Sequence, residues 1–130
     1  MPENDLIKAW LTKARHDLDT AKLVSVSLPD YDDTIAFHCQ QAIEKILKAY
    51  LIFLEIEFKQ VHDLGYLLNL IITKDESLET YYTKVDEISR YAVQIRYPDE
   101  IIRLSKQQIE DAIHLANQLY ILIQNKIKME

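Results

Sequence analysis

The sequence has 130 residues, 48% of them hydrophobic, with 15 Lys and Arg against 21 Asp and Glu for a formal net charge of −6. That length predicts one domain over residues 1–130 with room for a real core, and the acidic balance excludes a protein that grips nucleic acid by overall charge, leaving room for a local basic groove. A single Gly and three Pro are too few for a sheet protein rich in turns and favour long helices, while the lone Cys39 excludes an internal disulfide and fits a reducing compartment.

The first predicted helix starts near Asn4 or Asp5, either of which can cap it. Ile7, Trp10, Ala14, Leu18 and Ala21 form its apolar stripe, and Lys8, Lys13, Arg15, Asp19 and Lys22 its wet side. Val24 to Leu28 weakens the helix and 29–33 reads as a loop. Asp32 or Asp33 is expected to cap the second helix, from about Thr34 to Glu57, roughly 35 Å long. Its apolar face is unusually wide: Cys39, Ala42, Ile46, Ala49 and Phe53 make one stripe, and Ile43, Leu47, Tyr50 and Leu54 make the next. His38, Gln41, Lys45 and Lys48 line the other side, with Gln40, Glu44 and Lys48 four residues apart and in the favourable order for a Glu–Lys pair. Tyr50 to Leu54 is apolar all round, which predicts a position inside a bundle or a covering second subunit. The alternation at 54–58 resembles a strand, but one strand without a partner is discounted.

A third, short helix runs from His62 or Asp63 to about Ile72, with Leu64, Leu67, Leu68 and Ile71 inward and Gly65 inside it. Ser77 is expected to cap a fourth helix with the stripe Leu78, Tyr81, Val85, Ile88, Ala92 and Ile95, ended by Arg96-Tyr97-Pro98-Asp99 because the residue before Pro avoids the α region. Ser105 to Gln108 has the form of a capping box for the last helix, whose stripe is Ile109, Ala112, Ala116, Leu119, Ile123 and Ile127. The expected fold class is therefore all-α: an up-and-down four-helix bundle with an additional short helix. The longest wholly apolar run, Ala49 to Leu54, is too short to span a bilayer. With no N-terminal signal pattern either, a cytoplasmic, non-membrane protein is expected.

The residues offer little classical catalytic chemistry. Asp111 and His114 are the only acid and His at the spacing a di-iron bundle would use, no Ser lies in a nucleophile elbow, and no Gly-rich loop cradles phosphate. No metal or other cofactor is expected. Cys39 on the apolar stripe reads as a packed, inert thiol. What remains is a polar set: Gln41, Glu44, Lys45 and Lys48 on the second helix, His62 and Asp63 opening the third, and Arg90, Arg96 and Tyr97 closing the fourth. Arginines beside tyrosines suit phosphates and stacked bases, although Arg at a helix end also satisfies the last carbonyls.

The run Phe37-His38-x-Gln40-Gln41-Ala42-x-Glu44-Lys45-x-Leu47-Lys48-Ala49, followed by His62-Asp63-Leu64 with Leu67-Leu68, and then Arg96-Tyr97-Pro98-Asp99, resembles the HEPN domain (higher eukaryote and prokaryote nucleotide-binding). Ala14, Asp17, Leu18 and Ala21 fit its first helix, so the resemblance spans about Trp10 to Leu122. It implies a homodimeric helical bundle associated with nucleotide or RNA, often beside a minimal nucleotidyltransferase in a toxin–antitoxin-like pair. Many members are metal-independent ribonucleases carrying Arg-x(4–6)-His. In this chain Arg15, Arg90, Arg96 and Arg103 all lack a His at that spacing. The resemblance therefore implies a binding surface at Gln41, Glu44, Lys45, Lys48, Arg96, Tyr97 and Pro98 with no catalytic set; His62, Asp63 and Arg90 from the polar set above complete the expected nucleotide-binding residues, the alternative being a divergent ribonuclease that recruits Tyr97 or His62.

Overall fold

The computed structural model of the chain describes residues 2–94 and 103–128. Helices follow one another as α1 (Pro2–Ser27), α2 (Asp32–Phe53), α3 (Leu64–Ile72), a 3-10 turn (Glu76–Tyr81), α4 (Tyr82–Gln94) and α5 (Lys106–Lys128). Four long helices and one short helix make the all-α bundle, with no strand among the described residues. No helix among these residues is long and apolar enough to cross a membrane.

α2 is the axis of the bundle and touches all four other helices. Its wide apolar face needs that company: Ile35, Cys39, Ile43, Ile46, Leu47 and Leu51 are all fully buried. α1 lies antiparallel against it, bringing in Ala14, Leu18 and Ala21. α3 contributes Leu64, Leu67, Leu68 and Ile71, all buried as their spacing predicts. Tyr50 and Leu51, expected either inside the bundle or under a second subunit, are buried in the chain's own core. Large exposed apolar residues instead gather at the end of α1 and the loop after it, where Leu23, Val26, Leu28 and Tyr31 lie within nine residues.

Several helix ends differ from expectation, each for a local reason. α1 runs through Val24 to Ser27, carried by bonds from the Ser25 hydroxyl to the Lys22 carbonyl (2.7 Å) and from the Leu28 N–H to Val24 (2.7 Å). Asp32 does not cap α2. It occupies the first helical position, and its carboxylate accepts from Arg103 Nε at 2.7 Å and the Leu104 N–H at 3.2 Å. Nor does α2 reach Glu57. The Ile56 N–H bonds back to Leu51 (2.9 Å) and the Glu55 N–H to Ile52 (3.0 Å), with Glu55 in the left-handed region at φ 60°. That pair of bonds is a Schellman stop built around Glu where Gly is usual.

Asp75 takes the capping role expected of Ser77. Its carboxylate receives the Ser77 N–H (3.1 Å) and hydroxyl (2.5 Å), opening the 3-10 turn, and α4 starts only at Tyr82. It also receives the Tyr50 hydroxyl at 2.5 Å and the Lys126 ammonium at 3.0 Å. Burial works against the Asp75 carboxylate, but hydrogen bonds from Ser77, Tyr50 and Lys126 outweigh it and hold its pKa at about 2. Burial first, and the Asp75 bond and charge second, push the Tyr50 phenol well above its usual range. Other signals hold as read. Asp63 caps α3 by accepting from the Tyr66 N–H (3.2 Å). Ser105 and Gln108 exchange bonds of 2.8 and 3.0 Å in a capping box.

Candidate functional site

The polar residues of α2 do not form a wet face. Gln40, Glu44 and Lys48, one turn apart, are 6%, 3% and 4% exposed, because α1 closes over them on one side and the connector before α3 on the other. Lys48 Nζ lies 3.1 Å from Glu44 Oε2 and 5.4 Å from the centre of the Trp10 ring on α1. Trp10 thus supplies a π-face as well as part of the stripe. Gln40 donates to the carbonyl of His62 at 3.3 Å and points its amide toward Glu44 Oε1 at 3.5 Å. Gln41, half-buried, donates to Gln40 Oε1 at 3.2 Å.

The network opens outward at His62, and a separate polar group lies on the α1 side. On the α3 side, His62 Nδ1 sits 2.9 Å from Glu44 Oε1, and while the Glu44 side chain is 4% exposed the imidazole is 79% exposed. On the α1 side, Asp17 accepts from Lys45 and lies 2.9 Å from His38 Nδ1. No buried side-chain nitrogen or oxygen among the described residues lacks a partner. This completeness matters, because a buried polar group costs about 1–3 kcal/mol when left unpaired.

The structure therefore brings Gln41, Glu44, Lys48 and His62 into one connected system through Gln40, and places Lys45 in a separate one with Asp17 and His38. Glu44 and Lys48 neutralise each other inside, so neither ammonium nor carboxylate is offered to a ligand. Lys45 is spent on Asp17. Asp63 is engaged as the α3 cap. Arg90 is not in the network; it lies on α4, one turn beyond Asp86. A Cβ on Gly65 would sit 3.2 Å from the Tyr82 hydroxyl, 3.3 Å from Asp63 Oδ1 and 3.5 Å from Asp86 Oδ1, so α3 and α4 meet closely there. Arg90 Nε lies 3.3 Å from Asp86 Oδ2, with its side chain 70% exposed. Arg96 and Tyr97 lie outside the described residues.

Asp17, His38, Gln40, Trp10 and Asp86 escaped the sequence reading of the site. For Asp17 a signal existed: an acid set between the buried stripe residues Ala14, Leu18 and Ala21 is costly unless a cation meets it. Cys39 lies fully inside, and burial pushes its thiol up to about 12, far from a reactive thiolate. Among the described residues no cluster of three or more His, Cys, Asp or Glu could hold a metal ion.

The chain is similar to a solved crystal structure described as an archaeal HEPN homologue. The TM-score is 0.70 at 20% sequence identity, over 93% of this chain and 97% of that one, which is a likeness of fold. No curated protein matches the sequence significantly. The sequence matches the HEPN domain over residues 7–126, taking in α2, the His62 corner and most of α5. With the match covering most of the chain and the bundle agreeing with it, this protein belongs to the HEPN domain family.

Proposed function

We propose that the chain is a non-catalytic HEPN-type binding module. It holds a nucleotide or RNA at the corner where the connector before α3 meets α4, and acts with a minimal nucleotidyltransferase in a two-component, toxin–antitoxin-like system. The observation that carries this reading is the exposed His62 ring anchored on buried Glu44; the exposed Arg90 side chain stands on α4, the helix that meets α3 closely at Gly65. One outward cation and one fixed imidazole suit a phosphate and a neighbouring polar group; Arg96 and Tyr97 belong to the same proposed set. Gln41, Glu44, Lys45, Lys48 and Asp63 serve this surface from behind, by shape and orientation. A homodimer in the cytoplasm completes the reading. The exposed Leu23, Val26, Leu28 and Tyr31 support a partner surface.

The test is to titrate labelled ATP and a short single-stranded RNA against wild type, Arg90→Ala and Arg96→Ala, and to ask whether a minimal nucleotidyltransferase co-purifies. Weaker binding in both variants is expected. Absence of nucleotide or RNA binding together with absence of association defeats the reading.

One observation favours a second reading, the divergent metal-independent ribonuclease. A His held by a carboxylate is the usual form of a general base, and His62 with Glu44 has that form. RNA cleavage without added metal that disappears in His62→Ala would establish it in place of the first.

A further inference from the structure

The hydrogen bonds around Glu44 fix which nitrogen of His62 faces out. Glu44 is surrounded by donors only: Lys48 Nζ at 3.1 Å, His62 Nδ1 at 2.9 Å and the Gln40 amide nitrogen at 3.5 Å. The Gln40 amide cannot be turned round, because its nitrogen also faces the His62 carbonyl at 3.3 Å, which only accepts. A carboxylate paired with the buried Lys48 has no proton to give, so Nδ1 of His62 carries the hydrogen that joins them. In the neutral ring Nε2 then holds the lone pair, on a side chain 79% exposed. His62 is tied to α2 twice, by its carbonyl through Gln40 and by its ring through Glu44. The core therefore sets the direction of a reactive atom that stands in solvent.

None of the other three histidines combines these features. His38 meets Asp17 through Nδ1, but its side chain is 26% exposed. His16 and His114 are exposed, and no carboxylate among the described residues pairs with either ring. An imidazole with one nitrogen held by a carboxylate and the other open is the form in which His acts as a nucleophile. We propose that His62 is a phosphoryl-acceptor site, its Nε2 taking a phosphoryl group from a phosphoanhydride donor held by a partner protein. The Nε2 lone pair attacks phosphorus and forms the N–P bond. The bond from phosphorus to the bridging oxygen breaks, and that oxygen leaves with the electron pair. The product ring is an imidazolium still protonated at Nδ1, and its positive charge develops against Glu44. Glu44, at 4% side-chain exposure, touches neither donor nor phosphoryl group and is a positioning residue, held from behind by Lys48. The donor has to come on another protein, because this chain has no Gly-rich phosphate loop and its one Gly, Gly65, lies inside α3. The site needs neither Arg90 nor a nucleotide bound to this chain, so it stands independently of the binding reading above.

The test uses potassium phosphoramidate, which phosphorylates histidine without an enzyme, and follows the histidines of the wild-type protein together by alkaline peptide mapping and mass spectrometry. His62 should react about tenfold faster than His16 and His114, as one charge-assisted hydrogen bond strengthened in the transition state provides. Phosphorus NMR should show the Nε2-phosphoryl isomer. Reaction at His62 no faster than at His16 and His114, or at Nδ1, overturns the proposal, and this comparison needs no variant. Glu44→Gln, matched to wild type by helix circular dichroism, should bring His62 down to the rate of the other two. The ring itself gives a second readout. In ¹⁵N-histidine-labelled protein at about pH 8.5, where an ordinary imidazole is neutral, long-range ¹H–¹⁵N correlation of His62, assigned by its loss in His62→Ala, should show the Nδ1–H tautomer. Glu44→Gln, which can also donate, should shift the ring toward the Nε2–H form, a change that a merely structural role for Glu44 would not produce. An Nε2–H tautomer in wild type overturns the proposal, and undiminished reaction at His62 in folded Glu44→Gln overturns the role given to Glu44.

Discussion

Replacing Lys48 by Met removes a charge that the fold has enclosed and keeps most of the aliphatic stem. Lys48 is 4% exposed, lies 3.1 Å from Glu44 and stands over the Trp10 ring at 5.4 Å. Losing one member of a buried pair strands the other and costs about 3–5 kcal/mol. Here Glu44 keeps donors in His62 Nδ1 and, more weakly, Gln40, which places the cost near the lower figure, about 3 kcal/mol. Urea unfolding followed by helix circular dichroism should then show a midpoint lower by about 1–2 M at pH 8.5. Glu44→Met with Lys48→Met should recover most of the loss, since an apolar pair of similar volume is often neutral in place of an ion pair. Arg90→Met, which breaks an exposed pair with Asp86, should stay within about 0.5 kcal/mol of wild type. A Lys48→Met cost below about 1 kcal/mol at pH 8.5, or a double variant as unstable as the single, refutes the reasoning.

Other outcomes follow from the helix ends and the core. Glu55→Gly should stabilise by about 0.5–1 kcal/mol, read as a rise in thermal midpoint of about 2–4 °C, because Gly takes the left-handed stop at φ 60° without strain. Asp75→Asn should cost about 1–2 kcal/mol at pH 7. The Asp75 pKa is lowered on folding from 3.8 to about 2. Its contribution is therefore complete above the unfolded pKa and lost as pH falls toward about 2, and wild-type and Asp75→Asn acid-unfolding curves should converge there. Cys39 should react with a thiol reagent only at the rate of unfolding, as its full burial requires. Labelling that completes in native protein would contradict this.

The parts of this architecture visible in sequence are those decided by neighbours along the chain. The Ser105–Gln108 box, the opening of α3 beside Asp63 and the inward Leu64, Leu67, Leu68 and Ile71 depend on spacing alone and appear as read. The misses come where a distant partner wins. Asp32 looks like a cap until Arg103 and Leu104, 71 and 72 residues on, claim its carboxylate. Ser77 loses the capping role to Asp75, whose position is fixed by Tyr50 and Lys126. The wet-looking face of α2 is interior because α1 and the His62 connector cover it, and periodicity along one helix carries no information about what lies across from it. Gln40, Glu44 and Lys48 were legible as a ladder, but their enclosure was not. The acidic Glu55 hides a helix stop that Gly would have announced.

The two carboxylates that misled the capping rules also hold α5 in place. Asp32, at the start of α2, catches residues 103 and 104 just ahead of α5. Asp75, bound by Tyr50 near the end of α2, catches Lys126 near the end of α5. α2 and α5 therefore run parallel and are clasped at both extremities. A stripe such as Ala112, Ala116, Leu119 and Ile123 would tolerate sliding along its neighbour by one turn, about 5.4 Å, with modest loss of apolar contact. Such a slip would strand both carboxylates at once. The clasps make the alignment of these two helices all-or-none, and amides along α5 should exchange with solvent as one cooperative block rather than fraying inward from either end.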